Sequence, residues 1–466
     1  MLLKHLLKTE SEQDVSGIGY GKICKPGYLY FCLKRERREA DLNFAEENGA
    51  VAVVCDTELQ SNLPVFYVKN IRKEFALSSS VFYGNPSASL TMIGVSGTNG
   101  KTTTTHIIRD IMVADGRKCG LIGTNYVMIG DKVIDSTLTT PDPPVLHSLL
   151  SQMKEEGVDT VIMEVSAHAL ALEKISGIRF AVSVFTNLSQ DHLDFFGDMD
   201  NYARAKKRLF TPEYSRSAVI NVDDPVGIEI VDSARMPVVT YGLENPSDAF
   251  GIEYSADKFG CSFVANIMDD ILEVDYCAPG KFNMSNVLAS ATVAKVLGVD
   301  SDVISYGVRN SKVVSGRFQI VRGKDKIVIV DYAHTPDGLK KVISTAREIT
   351  KGKVITVFGC GGDRDKTKRA VMGEVASELS DFIVVTSDNP RSENPDDIAK
   401  SIVSGCKKNN YKIITDRKES ISYALNLCGT DDTVIVAGKG HEKAQESLGV
   451  KTEFSDVDTV KELLGD

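Results

Sequence analysis

One short segment of the sequence has residue types and spacing suited to holding phosphate. Its glycines let the backbone pass close to an anion, and the N–H groups that begin the following helix stabilise negative charge. The lysine near its end can reach the outer phosphates of a nucleotide, and the hydroxyl after it can bind Mg²⁺. The alternative is an ordinary glycine-rich turn, because Val95 stands where the general phosphate loop has its first glycine. We expect ATP or GTP at this segment, which consists of Gly97, Thr98, Asn99, Gly100, Lys101 and Thr102.

The elements that must position this loop can be predicted from the pattern around it. The loop follows an apolar, β-branched run at 90–95 and precedes a stretch of helical character at 102–114. Further apolar runs alternate with stretches of helix length, which predicts an α/β protein with mostly parallel sheets covered by helices. The other predicted strands are 29–33, 50–55, 160–165, 181–185, 326–330, 353–358, 382–386, 412–415 and 433–437.

The length of the chain, 466 residues, corresponds to about three domains. Turn-forming residues are concentrated at 83–89 and 309–317, and we expect the domain boundaries and hinges there. The prediction is a small α/β N-terminal domain, a central ATP-binding domain with a mostly parallel sheet, and a Rossmann-like C-terminal domain. Their predicted ranges are 1–88, 89–312 and 313–466.

Composition excludes several classes of function. A net charge of −10 argues against nucleic acid as a partner, because nucleic-acid binding needs a basic surface. No apolar run approaches the roughly 18 residues of a membrane span, so no membrane insertion is expected. The nine cysteines are scattered and odd in number, which is typical of a reducing compartment, and we expect a cytoplasmic protein.

An ordered series of motifs extends from the phosphate loop over nearly all the rest of the chain. The motifs are L-T-T-P at 138–141, M-E-V-S-A-H-A-L at 163–170, F-T-N-L-S-Q-D-H-L-D at 185–194, Y-A-R-A-K-K-R-L-F at 202–210, G-K-F-N-M-S-N at 280–286, D-Y-A-H-T-P-D at 331–337, D-N-P-R at 388–391 and A-G-K-G-H-E at 437–442. With them the sequence resembles the Mur ligases, the ATP-dependent amide-forming enzymes of peptidoglycan precursor synthesis. Those enzymes share a three-domain fold with folylpolyglutamate synthetases, and the resemblance implies that architecture here.

The resemblance also implies a reaction. It is ATP-dependent amide bond formation through an acyl phosphate, in the branch of the family that adds the third amino acid to UDP-N-acetylmuramoyl-L-alanyl-D-glutamate. The D-N-P-R motif resembles the form that recognises meso-diaminopimelate, since a guanidinium can bind the second carboxylate that lysine lacks. The implied acceptor-binding residues are Asp388, Asn389, Arg391, Gly438 and Glu442.

Roles in catalysis, metal binding and ATP binding follow from the resemblance in the same way. The implied catalytic residues are Lys101, His192 and Lys206. Thr102 and Glu164 are the implied ligands of one Mg²⁺, and His192 and Lys206 those of a second, the lysine as a carbamate formed from CO₂. Taken alone, 205–208 is typical of a solvated basic helix face, and only the resemblance selects Lys206 over Lys207. The implied ATP-binding residues are Gly97, Thr98, Asn99, Gly100, Lys101, Thr102, Thr103, Asn283, Asn286, Arg317 and Asp331.

The donor side departs most from the family pattern. The family's uridine-binding stretch has Y-D-S-R before a P-G turn, whereas 20–27 here has the Tyr and the P-G turn without Asp-Ser-Arg. The charged run at 35–41 replaces a D-G-H segment and is expected to be a solvated face. The implied donor-binding residues are Thr139, Thr140, Ser166 and Lys174.

Two alternatives stay open because of these departures. One is a paralogue that adds L-lysine or uses a different carboxylate donor. The other is a nucleotide-binding regulatory homologue without ligase activity, although retention of Lys101, Glu164, His192 and Lys206 argues against it. Whether the protein is the diaminopimelate-adding ligase or the paralogue, its expected partners are small-molecule substrates, and its expected state is a monomer.

Overall fold

The computed structural model describes the whole chain except residues 8, 59, 324 and 466. Its N-terminal part is a fully parallel sheet in the order β1-β2-β3-β4, with helices beside it. The elements are α1 (Leu3–Leu6), β1 (Gly17–Tyr20), β2 (Tyr28–Phe31), a 3₁₀ turn (Arg35–Arg37), α2 (Arg38–Glu47), β3 (Ala52–Cys55), β4 (Val65–Tyr67), α3 (Ile71–Phe82) and a second 3₁₀ turn (Pro86–Ser89).

The middle of the chain forms one long sheet that surrounds the phosphate loop. Its elements are β5 (Thr91–Ser96), α4 (Lys101–Ala114), β6 (Cys119–Ile122), β7 (Tyr126–Ile129), β8 (Lys132–Asp135), α5 (Pro143–Glu155), β9 (Thr160–Glu164), α6 (Ala167–Ala171), β10 (Phe180–Phe185), α7 (Leu193–Phe196), α8 (Met199–Lys207), a 3₁₀ turn (Arg208–Phe210), β11 (Ser215–Asn221), α9 (Pro225–Ser233), β12 (Val238–Gly242), β13 (Ala249–Asp257), β14 (Gly260–Ile267), β15 (Asp270–Tyr276), α10 (Lys281–Val296) and α11 (Ser301–Asn310).

The order of strands in this sheet is β15-β14-β13-β12-β11-β10-β5-β9-β6-β7-β8. The centre, from β13 to β6, is parallel, and both ends are antiparallel. Helices α10 and α11 pack against α4 on one face, while α5 lies in the apolar cluster of the other face. Strand β5, which leads into the phosphate loop, therefore lies in the buried centre of the sheet.

The C-terminal part is a second α/β unit. Its sheet has the order β16-β17-β21-β18-β19-β20 and is parallel except for β16. The elements are β16 (Gln319–Arg322), β17 (Ile327–Asp331), α12 (Pro336–Ile349), β18 (Val354–Phe358), α13 (Lys368–Leu379), β19 (Phe382–Val385), α14 (Pro395–Val403), β20 (Tyr411–Ile413), α15 (Arg417–Leu427), β21 (Thr433–Ala437), the hairpin β22 (Ala444–Ser447) and β23 (Val450–Glu453), and α16 (Asp456–Leu464).

These sheets confirm the predicted α/β class, with a mostly parallel centre and a Rossmann-like C-terminal unit. Each predicted strand is present with ends shifted by no more than a few residues. The proposed domain boundaries at 88 and 312 stay predictions, and both fall between sheets. Across the described residues, no helix combines the length and the apolar character needed to cross a membrane.

The prediction of a solvated face at 35–41 is wrong for part of that run. The Arg38 guanidinium lies largely out of solvent against the Asp56 carboxylate. Asp41 is 4% exposed, and burial raises its pKa. A run of charged residues forms a solvated face only where every side chain can reach water. Helix α2 packs one side against the sheet, so some charged residues of the run are buried.

A buried histidine in α5 leads to a prediction about acid stability. His147 is fully buried, and its ring nitrogens have no partner among the described residues. Burial lowers its pKa to about 4. The unfolded chain therefore takes up a proton below about pH 6.5 that the folded protein excludes, which costs about 1.4 kcal/mol per pH unit until the folded pKa is reached.

We expect His147→Leu to gain about 2 kcal/mol in unfolding free energy, relative to the unsubstituted protein, when the pH is lowered from about 7.5 to about 5. Urea unfolding at the two pH values measures the difference. The exposed His5→Leu serves as the matched control and should show no such change. If His147→Leu changed the free energy of unfolding by the same amount at both pH values, the argument from burial would be contradicted.

Candidate active site

The phosphate loop is held open by two glycines that no other residue could replace without strain. Gly97 and Gly100 have φ angles of 154° and 87°. A Cβ at Gly97 would lie 1.8 Å from Thr186 Oγ1, and one at Gly100 would lie 2.5 Å from Asn286 Oδ1. The loop backbone is fixed from β10, since Thr98 N donates to the Asn187 carbonyl oxygen at 2.8 Å. The loop is therefore preformed before any phosphate binds.

Lys101 begins helix α4 and turns back over this loop. Its Nζ donates to the carbonyl oxygens of Gly97 and Thr98, both at 2.9 Å. Burial lowers the pKa of Lys101, while the carboxylate of Glu164 opposes that shift. The Lys101 ammonium at this loop is therefore desolvated. Its electrostatic attraction for a bound phosphate is stronger there than it would be in water.

Glu164 ends strand β9 beside the loop and is fully buried. Thr124 N and Thr124 Oγ1 donate to its two carboxylate oxygens at 2.8 and 2.9 Å. Thr102 Oγ1, on the residue that follows Lys101, accepts from Arg317 Nη2 at 3.0 Å. A carboxylate and a hydroxyl at the carboxyl edge of a parallel sheet are hard oxygen donors of the kind that Mg²⁺ prefers.

His192 precedes α7 in a left-handed conformation, with φ of 56°. Burial lowers its pKa to about 3, opposed by the neighbouring Asp191 carboxylate. A neutral imidazole at physiological pH has a ring nitrogen free to bind a metal. Asp191 Oδ2 lies 3.4 Å from His192 Nε2 and 3.3 Å from His334 Nε2.

Lys206 lies on α8 and is 1% exposed, so the sequence expectation of a solvated face is wrong at this position. Its Nζ lies 4.8 Å from the centroid of the Tyr202 ring, and the described residues give it no ion pair. Burial lowers its pKa well below the usual range, and the nearby Lys101 cation adds to the shift. By contrast Lys207 points outward and pairs with Glu229.

The implied metal ligands do not form a complete cage from protein groups. Within the part of the chain that the structure describes, no cluster of three His, Cys, Asp or Glu side chains could hold a metal ion. By their donor types, the oxygens of Thr102 and Glu164 suit one Mg²⁺ and the imidazole of His192 suits a second, each ion also taking oxygens from phosphate. Such partial cages are usual for Mg²⁺, which keeps water and substrate ligands.

The residues implied for the nucleotide lie on α10 and at the beginning of the C-terminal part. Asn283 and Asn286 are buried in α10, and Asn286 Oδ1 accepts from Thr104 Oγ1 at 3.4 Å. The Arg317 guanidinium lies 4.5 Å from the centroid of the Tyr332 ring. Asp331 ends β17 and accepts from two backbone N–H groups, those of Phe318 and Ala333.

The acceptor residues are brought together around the ends of β19 and β21. Asn389 Nδ2 donates to Glu442 Oε2 at 2.9 Å. Gly438 has no room for a side chain, because a Cβ there would lie 2.7 Å from Asp388 Oδ2. Arg391 stands apart from this group, with Nη1 donating to the Gly362 carbonyl oxygen at 2.6 Å. The carboxylate of Glu442 and the guanidinium of Arg391 thus have different partners within the protein.

The donor residues form a path at the other side of Glu164. Thr140 is buried, and its hydroxyl donates to the Glu164 carbonyl oxygen at 2.9 Å and accepts from Ser166 N at 3.1 Å. Because these hydrogen bonds within the protein already use the Thr140 hydroxyl, Thr140 stabilises the backbone of Glu164 and Ser166. Lys174 pairs with Asp142 at 2.8 Å, and Thr139 Oγ1 lies 3.1 Å from Thr124 Oγ1.

The C-terminal part is closed over the loop by polar contacts. Asn99 Nδ2 donates to Asp337 at 3.1 Å, and Gln190 Nε2 donates to Asp365 at 3.1 Å. Lys368 Nζ lies 3.4 Å from Asp191. These contacts place the C-terminal part directly against the phosphate loop and the segment that follows β10.

Sequence reasoning missed several residues around this site. Tyr20 reaches from the N-terminal part to Asp142, with its hydroxyl 3.3 Å from the carboxylate. The exposed Arg364 lies beside Gly361, as does Arg391. The fully buried Lys439 contacts Asn389 and Glu442. Arg364 ends a G-G-D-R segment at 361–364, and Lys439 lies in the A-G-K-G-H-E motif. The spacing within these two segments assigns neither residue a role.

A phosphate loop, a buried carboxylate, a histidine and two lysines of lowered pKa lie near one another where the C-terminal part contacts the loop. This arrangement defines a nucleotide-dependent ligase. Models of the Mur ligase middle domain and of the Mur ligase, glutamate ligase domain match residues 95–294 and 316–440. The chain belongs to the Mur ligase family.

Relatives and a solved structure agree with that assignment. The chain is 42% identical to the UDP-N-acetylmuramoyl-L-alanyl-D-glutamate--2,6-diaminopimelate ligase of Caldanaerobacter subterraneus, over 100% of this chain and 98% of the relative. It is also 42% identical to the ligase of the same name from Syntrophomonas wolfei, over 97% and 95% of the two chains. A solved structure of a ligase of that name is 28% identical, with a TM-score of 0.71 over 100% of this chain and 99% of the other.

Proposed function

We propose that this protein joins meso-diaminopimelate to UDP-N-acetylmuramoyl-L-alanyl-D-glutamate, with hydrolysis of ATP to ADP and phosphate, in the synthesis of peptidoglycan precursors. The observation that carries the proposal is the full-length similarity, at 42% identity, to ligases named for that reaction. The pocket at Asp388, Asn389, Arg391 and Glu442 supports it, because it offers separate partners for ammonium and carboxylate.

In the first step a carboxylate oxygen of the donor attacks the γ-phosphorus of ATP. The new O–P bond forms the acyl phosphate, the bond to the bridging oxygen breaks, and ADP leaves. Lys101 and the N–H groups of 97–102 would hold the outer phosphates and stabilise the charge that develops on them. Asn283, Asn286, Arg317 and Asp331 would hold the rest of the nucleotide beside α10.

In the second step the acceptor amine attacks the acyl carbon. The C–N bond forms, the C–O bond to phosphate breaks, and the amine releases a proton with the departing phosphate. Glu442 and Asn389 would orient the acceptor through its ammonium, while Arg391 would bind the carboxylate that lysine lacks. Closure of the C-terminal part would keep water from the acyl phosphate, which hydrolysis would otherwise destroy.

Mg²⁺, when bound, would neutralise phosphate charge and stabilise the transferring group. The oxygens of Thr102 and Glu164 would hold one such ion, and the imidazole of His192 would hold a second. We propose that Lys206 reacts as a neutral amine with CO₂, forming an N–C bond and releasing a proton, and so supplies a carbamate oxygen. Its burial, its lowered pKa and the lack of an ion pair within the described residues support this reaction.

Thr139, Ser166 and Lys174 would contact the donor, with Thr140 behind them. The departures at 20–27 and 35–41 remove family residues at the nucleotide end of the donor, whereas Tyr20, which the first of these stretches retains, bridges the N-terminal and middle parts. We further propose a cytoplasmic monomer. All nine cysteines are free, which agrees with a reducing compartment.

Oxygen-18 transfer tests the reaction. The donor is labelled with ¹⁸O in its reacting carboxylate and incubated with ATP, Mg²⁺ and meso-diaminopimelate. An acyl phosphate route places one labelled oxygen in the released phosphate and none in ADP. Unlabelled phosphate, or ADP release that needs neither donor nor acceptor, would overturn the proposal and favour the regulatory homologue.

A further inference from the structure

A lysine ammonium is enclosed behind the acceptor pocket. Lys439 is 0% exposed. Its Nζ donates to Glu442 Oε2 at 2.8 Å, to Asn389 Oδ1 at 3.1 Å and to the Ala444 carbonyl oxygen at 2.8 Å. All three N–H bonds of the ammonium are therefore used, two of them on side chains that the proposed function assigns to the acceptor.

These contacts fix the side chain of Asn389. Its Oδ1 accepts from Lys439 Nζ and from Glu446 N at 3.0 Å, so its Nδ2 must face Glu442. Glu442 Oε2 then receives two donors, while Oε1 has no hydrogen bond within the described residues. The Glu442 side chain is 31% exposed, so that oxygen can face an incoming ammonium.

The backbone at the ends of β19 and β21 is held in place by a residue other than Lys439. The buried Arg417 pairs with Asp456 at 2.7 and 2.8 Å. Its guanidinium also donates to the carbonyl oxygens of Ser387 and Ala437, which precede Asp388 and Gly438. The ends of β19 and β21 are thus held together by a separate cation, and a change at Lys439 should leave the backbone of the pocket in place.

We propose that Lys439 is a positioning residue that sets the preference for meso-diaminopimelate over L-lysine, and this inference rests on the proposed function. Lys439 offsets the charge of Glu442 and leaves one carboxylate oxygen for the substrate. Meso-diaminopimelate has two ammonium and two carboxylate groups and is neutral overall, whereas L-lysine has a net charge of +1. Loss of the Lys439 charge would make the pocket more negative by one charge. That change would strengthen the attraction for the cationic L-lysine more than for the neutral meso-diaminopimelate.

The test is Lys439→Met, with kcat/KM measured separately for meso-diaminopimelate and L-lysine. We expect the ratio of the two to fall about tenfold, while KM for ATP stays within about twofold. Lys443→Met is the matched control, because it removes a positive charge from an exposed position four residues away. That variant should leave the ratio unchanged.

A double variant separates charge from packing. Glu442→Gln removes one negative charge from the pocket, so Lys439→Met in that background returns the net charge to that of the unsubstituted protein, and the ratio should return toward the unsubstituted value. Parallel losses for both acceptors, with an unchanged ratio, would overturn the inference and indicate a purely structural lysine. If Lys439→Met does not fold, Lys439→Gln, which keeps an N–H donor, is read in the same way. If the unsubstituted protein used neither acceptor, the proposed function itself would fail, and the inference with it.

Discussion

Replacing Lys206 by alanine is expected to lower kcat by at least about 10²–10³-fold, the loss typical when one charged group is removed from a phosphoryl-transfer or acyl-transfer site. The reason is the proposed carbamate. Its loss removes an anionic oxygen ligand from the place where phosphate charge converges, and no other described carboxylate pairs with Lys206 to take over. Steady-state release of ADP, with donor and acceptor present, measures the change.

Lys207→Ala is the matched control. It removes the next lysine of the same helix, but that side chain is on the surface and pairs with Glu229. We expect less than a twofold change, because exposed ion pairs contribute little. A small carboxylate such as formate should partly restore Lys206→Ala, since it can enter the space that the side chain leaves. Full activity of Lys206→Ala would refute the carbamate assignment.

Lys101→Met should have the second large effect, a loss of about 10²–10³-fold in kcat/KM for ATP. The substitution keeps an unbranched apolar stem and removes the cation that faces the phosphates. Because the Lys101 ammonium is desolvated in the free protein, its removal should not lower the melting temperature appreciably. Loss of activity without loss of stability would distinguish a functional cation from a structural one.

The exposed Lys118→Met, in the same part of the chain, is the control for removing a positive charge. We expect unchanged kcat/KM for ATP in that variant. Nearly normal ATP use by Lys101→Met would mean that the backbone N–H groups hold the phosphates alone. A collapse of the melting temperature would mean that Lys101 mainly supports the loop.

The fold was largely predictable from the sequence because its signals are local. Several buried parallel strands are short β-branched runs, and β5, β9 and β21 lie within a residue of their predicted ranges, whereas the buried β6, Cys-Gly-Leu-Ile, lacks that pattern and was not predicted. The antiparallel ends of the middle sheet were not predicted. Strands β13 and β15 are half exposed, so they lack the continuous apolar run that marked the others.

The site was only partly predictable. Glycines 97 and 100, Lys101 and Glu164 follow from their positions at a strand end. Burial of Lys206 does not, since the charge-rich stretch around it is typical of an exposed helix face, and only the tertiary contacts of α8 remove it from water. Lys439 and Arg417 were missed for a related reason, because a single sequence does not indicate which cations are enclosed by the fold.

A competition between two acceptors tests the proposed reaction most directly. The protein is mixed with ATP, Mg²⁺, UDP-N-acetylmuramoyl-L-alanyl-D-glutamate and equal amounts of meso-diaminopimelate and L-lysine, and the product masses are measured. We expect the diaminopimelate adduct to predominate, which would identify donor, acceptor and reaction together. A lysine adduct in its place would contradict the role of Arg391, and the absence of any adduct would mean that this ligase uses a different donor.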